Sequence, residues 1–408
     1  MNPSKRKFTV LKQISKLIPR NLVSKLASKH GVDKQSRSFT PWSHVLSLVY
    51  AQLSHAMSLN DICDALRNHA AAFRDIREAV PPSRNGLSNA NRNRNPDMAE
   101  DLFWSVFGEL KKNTPNFGLY SGATGVPHRF KRTINAVDSS TITLFANCLD
   151  WAKHRRRKAA AKMHLRLDLQ TFLPQYIIIK AANTHDSTEA KELCAGISAG
   201  EIVIFDKAYV DFKHLFHLDT RQVFWVTRSK DNMDYEVMGQ HTPSKGKIFR
   251  DVKIRLTGQN TPEYYPKELR LVEATVKVKG KERSMTFITN NFDWSPNSIA
   301  DLYRSRWGIE TFFKEIKQTL QIADFLGYNE NAVKWQIWTA LLVYILLRYI
   351  AHIKQWTFSF PRLFTVLRGV LWSLLDMDKV IVACGTAGAP TKLRAAPDQA
   401  YLPGFAFS

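Results

Sequence analysis

The sequence predicts an α/β fold: a mixed core of strands and helices, interrupted by a mainly β insertion and preceded by an all-helical N-terminal region. Three observations predict it. Short runs rich in β-branched residues, at 135–145, 202–205 and 223–229, are separated by segments of helical pattern. A second group of β-rich segments, 248–256, 268–280 and 282–290, follows without that alternation. Residues 41–113, ahead of both, read as helical throughout.

Residues 1–40 hold ten Lys and Arg against one acid, and Leu11, Ile14, Leu17 and Ile18 predict a short amphipathic helix ending near Pro19. In 41–113, Ser58 and Asp61 have capping-box spacing before Ile62 and Leu66. Asn95 and Pro96 open a helix through Leu102, Phe103, Val106 and Leu110. Between them lies SNANRNRN, 88–95, either a polar loop or a segment that reads DNA, with Arg92 and Arg94 among its contacts. The core begins near His128. Its first strand is 135–145, its second 165–170 and its third 171–183, with Pro174 in the turn between them. A helix from about Thr184 leads to the strand 202–205, and 223–229 follows. Gly280 and Lys281 fit a hairpin turn inside the insertion. The apolar stretch 337–347 is about half the length that spans a bilayer and reads as a buried helix. From Cys384 the chain is rich in Gly, Ala and Pro and reads as extended. The resulting division is 1–127 helical, 128–229 and 286–356 core, 230–285 insertion, and 357–408 a C-terminal helical segment and tail.

Net charge is +22, which points to a polyanionic partner. The four cysteines, Cys63, Cys148, Cys194 and Cys384, are widely spread, so neither a zinc ribbon nor a disulfide framework is indicated and a reducing compartment fits. The basic N-terminus lacks the apolar stretch of a secretory signal, and no membrane partner is expected.

Chemistry concentrates in LYRSRWGIETFFKEIKQTL. Tyr303, Arg306, Glu310 and Lys317 have the pattern Y-x2-R-x3-E-x6-K. On one continuous helix they fall within an arc of roughly 60°, unless Gly308 interrupts it. Leu302, Ile309, Phe313, Ile316 and Leu320 form the adjoining apolar face. A single acid among cations suits a site that holds a metal ion and a phosphate backbone together. Asp138 lies inside the strand 135–145, and Asp206 ends the apolar run 202–205. Three carboxylates without a Cys/His cluster favour Mg²⁺ or Mn²⁺ over zinc. Taken singly, each acid also has a bland reading: a strand-end polar residue, a turn cap, or half of an i,i+4 pair with Lys314.

These motifs resemble the DDE transposases of the IS4 group, encoded by bacterial insertion sequences. The resemblance rests on the Y-R-E-K pattern, on Val137, Asp138, Ser139 and Ser140, and on Asp206, Lys207, Ala208 and Tyr209. It extends through THDS (184–187), FLG (325–327), YLPGF (401–405) and SLNDICDAL (58–66). It implies an RNase H-like core and catalysis by Asp138, Asp206 and Glu310 holding two ions, with Asp138 shared. It implies cut-and-paste transposition, by a homodimer on double-stranded DNA in the bacterial cytoplasm and nucleoid. Tyr303, Arg306 and Lys317 would hold phosphates beside the cleaved bond. From their place between the first two strands, Arg155, Arg156 and Arg157, in the basic run 153–158, and Lys162 beyond it either contact DNA phosphates or form a solvated loop. Trp307 could stack on a base, whereas Trp225 reads as core. A nuclease that cuts without joining, a catalytically silent DNA-binding regulator and an RNA binder acting through charge are the alternatives.

Overall fold

The computed structural model describes residues 8–34, 36, 38–119, 125–144, 153–155, 158–181, 186–242, 246–278, 281–320 and 327–384. Helices α1 (Val10–Ser15), α2 (Leu22–Lys29), α3 (Pro41–Ser54), α4 (Leu59–Asn68), α5 (Ala70–Arg74), α6 (Arg84–Asn93), α7 (Asp97–Asn113) and α8 (Val126–Arg129) come first. Of the two caps read from sequence, Ser58 is in place, whereas the capping position of α7 is Pro96 and not Asn95. Ser58 Oγ accepts from the Asp61 amide at 3.2 Å, and Asn95 Oδ1 accepts from the Asp97 amide, so α7 starts one residue beyond Pro96. Residues 88–93 are not a loop: they form most of α6.

The core strands are β1 (Ile134–Leu144), β2 (Lys153–Arg155), β3 (Lys158–Asp168), β4 (Leu173–Ala181), β5 (Ile202–Phe205) and β6 (Phe224–Arg228). Those of the insertion are β7 (Tyr235–Gln240), β8 (Ile248–Leu256), β9 (Leu269–Val278) and β10 (Lys281–Thr289). They form one sheet in the order β4-β3-β1-β5-β6-β10-β9-β8-β7, with β2 beside the start of β3. β1 runs antiparallel to β3 but parallel to β5, which is parallel to β6. An antiparallel meander followed by parallel strands is the RNase H-like arrangement. The insertion does not stand apart from it, because β10 pairs with β6 and extends the same sheet.

Two local expectations fail for physical reasons. Pro174 is not in the turn but is the second residue of β4, opposite Leu167, where the register slips. Proline lacks an N–H, and among the described residues β4 pairs only with β3, so it is an edge strand that tolerates the loss. The turn itself ends at Phe172, in the left-handed region at φ 58°. The second strand is not confined to 165–170 either: it begins at Lys158, where the backbone of Lys153–Arg155 pairs with it.

Alternation along the strands gives the sheet two buried faces. Val137, Val203, Phe205 and Trp225 pack beneath α9 (Asp186–Cys194) and α10 (Phe212–Thr220). Ala136, Ile142, Leu165, Ile204 and Val226 face the opposite way. They meet α12 (Pro296–Ser305), α13 (Trp307–Lys314) and α14 (Glu330–Ile353), while α11 (Thr261–Tyr264) lies in the insertion. The apolar stretch 337–347 thus belongs to a helix of 24 residues, long and apolar enough to cross a membrane, yet mostly buried inside the protein. Helices α3, α6 and α7 lie against it, so the N-terminal helices share its core. Two short helices, α15 (Phe360–Arg368) and α16 (Met377–Cys384), close the described chain.

The insertion is held by a buried charge pair. Arg270 donates from Nε and Nη2 to Asp251 at 2.8 Å each, and neither side chain is exposed. Arg270 also donates to the carbonyls of Phe292 and Trp294, which tie the insertion to the start of α12. Burial works against the ionised Asp251, but the bonds from Arg270 and Thr242 outweigh it and hold the carboxylate below its usual range. Asp251→Ala leaves Arg270 charged and unpaired in the interior. It is expected to cost about 3–5 kcal/mol, read as a lower denaturant midpoint; a loss under about 1 kcal/mol would show that the pair is solvated in solution.

Candidate active site

The site is set first by strand register. Val137 of β1 and Phe205 of β5 are the last parallel pair, and Asp138 and Asp206 each follow directly. Neighbouring strands lie about 4.8 Å apart, so the two aspartates stand side by side. Both are one step out of phase with Val137 and Phe205, which places them on the face covered by α12 and α13. Each carboxylate accepts a hydrogen bond from the amide that follows it, Ser139 N and Lys207 N, both at 2.8 Å. That bond fixes the orientation of the acid at the point where the strand pairing ends.

The helical segment above them is not continuous. Helix α12 is opened by Ser295, whose Oγ accepts from Ser298 N, and it buries Ile299, Leu302 and Tyr303. It stops at Ser305. Arg306 keeps right-handed dihedrals, but the bonds tighten to three-residue steps, Arg306 N to Tyr303 O and Ile309 N to Arg306 O. The interruption therefore falls at Arg306, not at Gly308. Glycine at 308 allows close packing, since a Cβ there would lie 3.0 Å from Leu169 Cδ2. After α13 the chain widens into a π turn, Glu315–Thr319, that carries Lys317.

Even so, the four side chains reach toward the strands. Tyr303 Oη donates to Asp206 Oδ1 at 3.2 Å. Arg306 Nη1 donates to Asp138 Oδ2 at 2.6 Å, and Nη2 to Glu310 Oε1 at 3.0 Å. Lys317 Nζ donates to the Thr141 carbonyl of β1 at 2.6 Å. One buried guanidinium thus joins the sheet acid to the helix acid, while its Nε has no partner.

The electrostatics follow from burial. Removal from water pushes the Asp138 carboxyl up to about 6, and Asp206 and Glu310 reinforce the shift, although Arg306 and the Ser139 amide oppose it. Burial works against the charge on Arg306, but Asp138 and the other carboxylates more than restore it. Burial raises the Tyr303 phenol to about 12 and lowers Lys317 from its usual value. Among the described residues no three His, Cys, Asp or Glu groups gather around one point. The acids come as pairs, Asp138 with Asp206 through register, and Asp138 with Glu310 through Arg306. Their donor atoms are all oxygen, the type that hard divalent ions prefer.

Register also brings in a residue that sequence reasoning missed. Ile204 pairs with Val226, so Arg228 at the end of β6 stands in the row of Asp206 and on the same face. Its charge acts on Tyr303, and among the described residues its half-buried guanidinium makes no hydrogen bond or ion pair. Its signal, an arginine two residues beyond an apolar Val226, becomes visible only once β5 and β6 are known to be parallel.

The other candidates disperse. Trp307 is 37% exposed at the start of α13, beside Arg306. Trp225 is fully buried, 6.0 Å from the Tyr265 ring. Lys162 pairs with Thr141 and alternates with Met163, so it lies on the reverse face from Asp138. Arg155 is described in its backbone alone, and Arg156 and Arg157 lie outside the described residues, as do Cys148, Thr184, His185, Phe325, Leu326 and 401–405. Arg92 is exposed on α6. Arg94 is not presented to DNA: its guanidinium bonds the Thr40 and Phe39 carbonyls and Ser36 Oγ, and burial lowers its pKa to about 10.

Comparison with known proteins supplies the family. Residues 129–346 match the family described as a transposase DDE domain, and residues 6–74 match a domain of unknown function (DUF4372). The protein y4zB of Sinorhizobium fredii, assigned as a transposase, is 30% identical over 288 residues, 69% of this chain and 76% of that protein. A protein of Geobacillus stearothermophilus assigned as the transposase of insertion sequence element IS5377 is 28% identical over 54% of this chain and 58% of its own length. Transposase InsG for insertion sequence element IS4 of Escherichia coli is 25% identical over 46% of this chain and 43% of its own length. The chain belongs to the DDE transposases of insertion sequences, in the IS4 group.

Proposed function

We propose that this DNA transposase excises its element by cutting at the terminal inverted repeats, and that it joins the freed 3′-OH ends to target DNA as a homodimer. The observation that carries this reading is the pair Asp138 and Asp206, in register on one face, with Glu310 delivered to Asp138 through Arg306. Family membership brings dependence on a divalent metal ion. We assign that role to two Mg²⁺ or Mn²⁺ ions held by the three acids, with Asp138 shared. When bound there, such ions activate the attacking oxygen and neutralise the leaving one at phosphorus.

The chain's own residues bind and orient the DNA. Arg306 offers a planar fork that fits a phosphate as well as a carboxylate. Lys317 and Arg228 flank it with single charges, and the Tyr303 phenol, kept protonated by burial, is a hydrogen-bond donor at working pH. Arg228→Ala is expected to slow cleavage by about tenfold or more while affinity for unrelated DNA changes little. An equal loss in both would make Arg228 a general phosphate contact.

The direct test uses the purified protein, the DNA flanking its own gene and Mg²⁺. Paired cuts and joined 3′ ends are expected from the wild type. Asp138→Asn and Glu310→Gln should abolish both while DNA binding stays within about twofold. Cutting without joining would favour a nuclease, and normal cutting by either variant would sink the assignment of the acids.

The raised Asp138 carboxyl gives a pH dependence with a definite sign. Its proton competes with the ions as pH falls through about 6. The rise in melting temperature caused by Mn²⁺ should therefore be full above that value and fade below it, and it should be absent in Asp138→Asn. In the metal-free protein the sign is reversed. The stability tied to protonated Asp138 is complete below its ordinary 3.8 and is lost as pH rises through about 6. An ion-induced shift of equal size on both sides of pH 6 would contradict the assignment.

A further inference from the structure

We infer that the outward face of α6 reads base edges in the major groove of double-stranded DNA. The inference rests on the transposase reading and names where the enzyme would recognise the sequence of its element ends.

The argument starts from a helix that is poorly made for being a helix. Its ten residues, RNGLSNANRN, include four Asn, one Ser and one Gly. Asn and Ser compete with the helix backbone through their own polar groups, and Gly86 adds freedom to the unfolded chain. The inward face accounts for part of this composition. Leu87 and Ala90 are buried, and the buried Asn91 uses Oδ1 to bond His44 Nε2 at 2.8 Å. Burial, with Arg94 nearby, lowers that histidine to about 3, so it stays neutral and can be sealed in.

The outward face has no such account. Asn85, Ser88, Asn89 and Arg92 occupy positions i, i+3, i+4 and i+7, which is one stripe. Asn85, Asn89 and Arg92 are exposed and Ser88 is half-buried. Among the described residues none of these four side chains makes a hydrogen bond or an ion pair.

Yet the helix is held firmly. Ser83 Oγ caps it by accepting from Gly86 N at 3.0 Å. Its last carbonyls are clamped by α14: Asn329 and Asn331 donate to Arg92 O at 3.2 and 2.8 Å, and Trp335 Nε1 donates to Arg94 O at 3.0 Å. A rigid helix carrying polar groups that do nothing inside the chain is what recognition of an external partner requires.

The side-chain types name the partner. Asn bonds adenine through two contacts, Arg bonds guanine in the same way, and Ser accepts either. No carboxylate lies on α6 to repel a phosphate. Seven helical steps from Asn85 to Arg92 cover about 10.5 Å, which spans about three base pairs at about 3.4 Å each. An open groove of about 790 Å³ runs along Asn89, with Lys34 on its far wall to take the flanking phosphate.

The test is selection from a randomised duplex library by the full chain in EDTA, so that no ion-dependent chemistry is involved. The wild type should enrich one motif. Asn89→Ala with Arg92→Ala should flatten about three adjacent positions, by about tenfold or more per base, while affinity for unrelated duplex falls less than about threefold. The same variant should melt no lower than the wild type, because Ala is the better helix former. If it does not fold, Arg92→Lys, which keeps the charge and loses the fork, should still relax one position. An unchanged motif, a wild type that enriches nothing, or a uniform loss of affinity for every duplex would each overturn the inference. Failure of the transposase reading itself would appear instead in the Mg²⁺ cleavage assay.

Discussion

The candidate active site depends on one buried cation. The Arg306 side chain is 9% exposed and bonds Asp138 from the sheet and Glu310 from the helix. Arginine cannot shed its charge, and here two acids balance its burial. The converse also holds. Asp138, taken out of water beside Asp206 and Glu310, is already pushed toward protonation. Without the guanidinium only the Ser139 amide would oppose both neighbours. Tyr303, one tight turn earlier, and Glu310, one turn later, are placed by the same residue. The site's geometry and its charge balance therefore have one origin.

That origin also accounts for the uneven helix. A straight helix would set Tyr303, Arg306, Glu310 and Lys317 in one narrow stripe. The chain instead tightens at Arg306 and widens at 315–319. The tight step brings the guanidinium down between strand and helix, and the wide turn carries Lys317 past the acids to the Thr141 carbonyl. Irregular turns of this kind are unfavourable in themselves and collect at functional positions. Here the packing of Ile309, Phe312 and Ile316, all without exposed surface, holds the irregular backbone in place.

Much of this was legible in the sequence, because local composition reports local structure. The β-branched run around Asp138, the apolar run ending at Asp206 and the cap of α4 all depend on neighbours in the chain. What remained hidden depends on pairing between distant segments. Which face Lys162 occupies is decided by its partner Thr141, and a shift of one residue would have reversed it. Arg228 joins the row only through the parallel pairing of β5 with β6. Arg94 looked like its neighbour Arg92, and only the bonds of Arg94 to Ser36, Phe39 and Thr40 show that one points in and the other out.

Helix α14 ties these parts together. At its start it clamps the end of α6. Further along, Arg348 pairs with Glu315 at 2.6 Å, at the first residue of the π turn that bears Lys317. From the N-terminal helices, His55 donates to the Thr319 carbonyl at the other end of that turn. The turn is thus held from both sides by elements that belong to the same core as α6. Protein interiors pack as densely as organic crystals and transmit displacement rather than absorb it. Among the described residues, α6, α14 and the π turn that carries Lys317 are thus tied into one packed core. A duplex read by α6, as inferred above, would be cut at a distance that this shared packing helps to set.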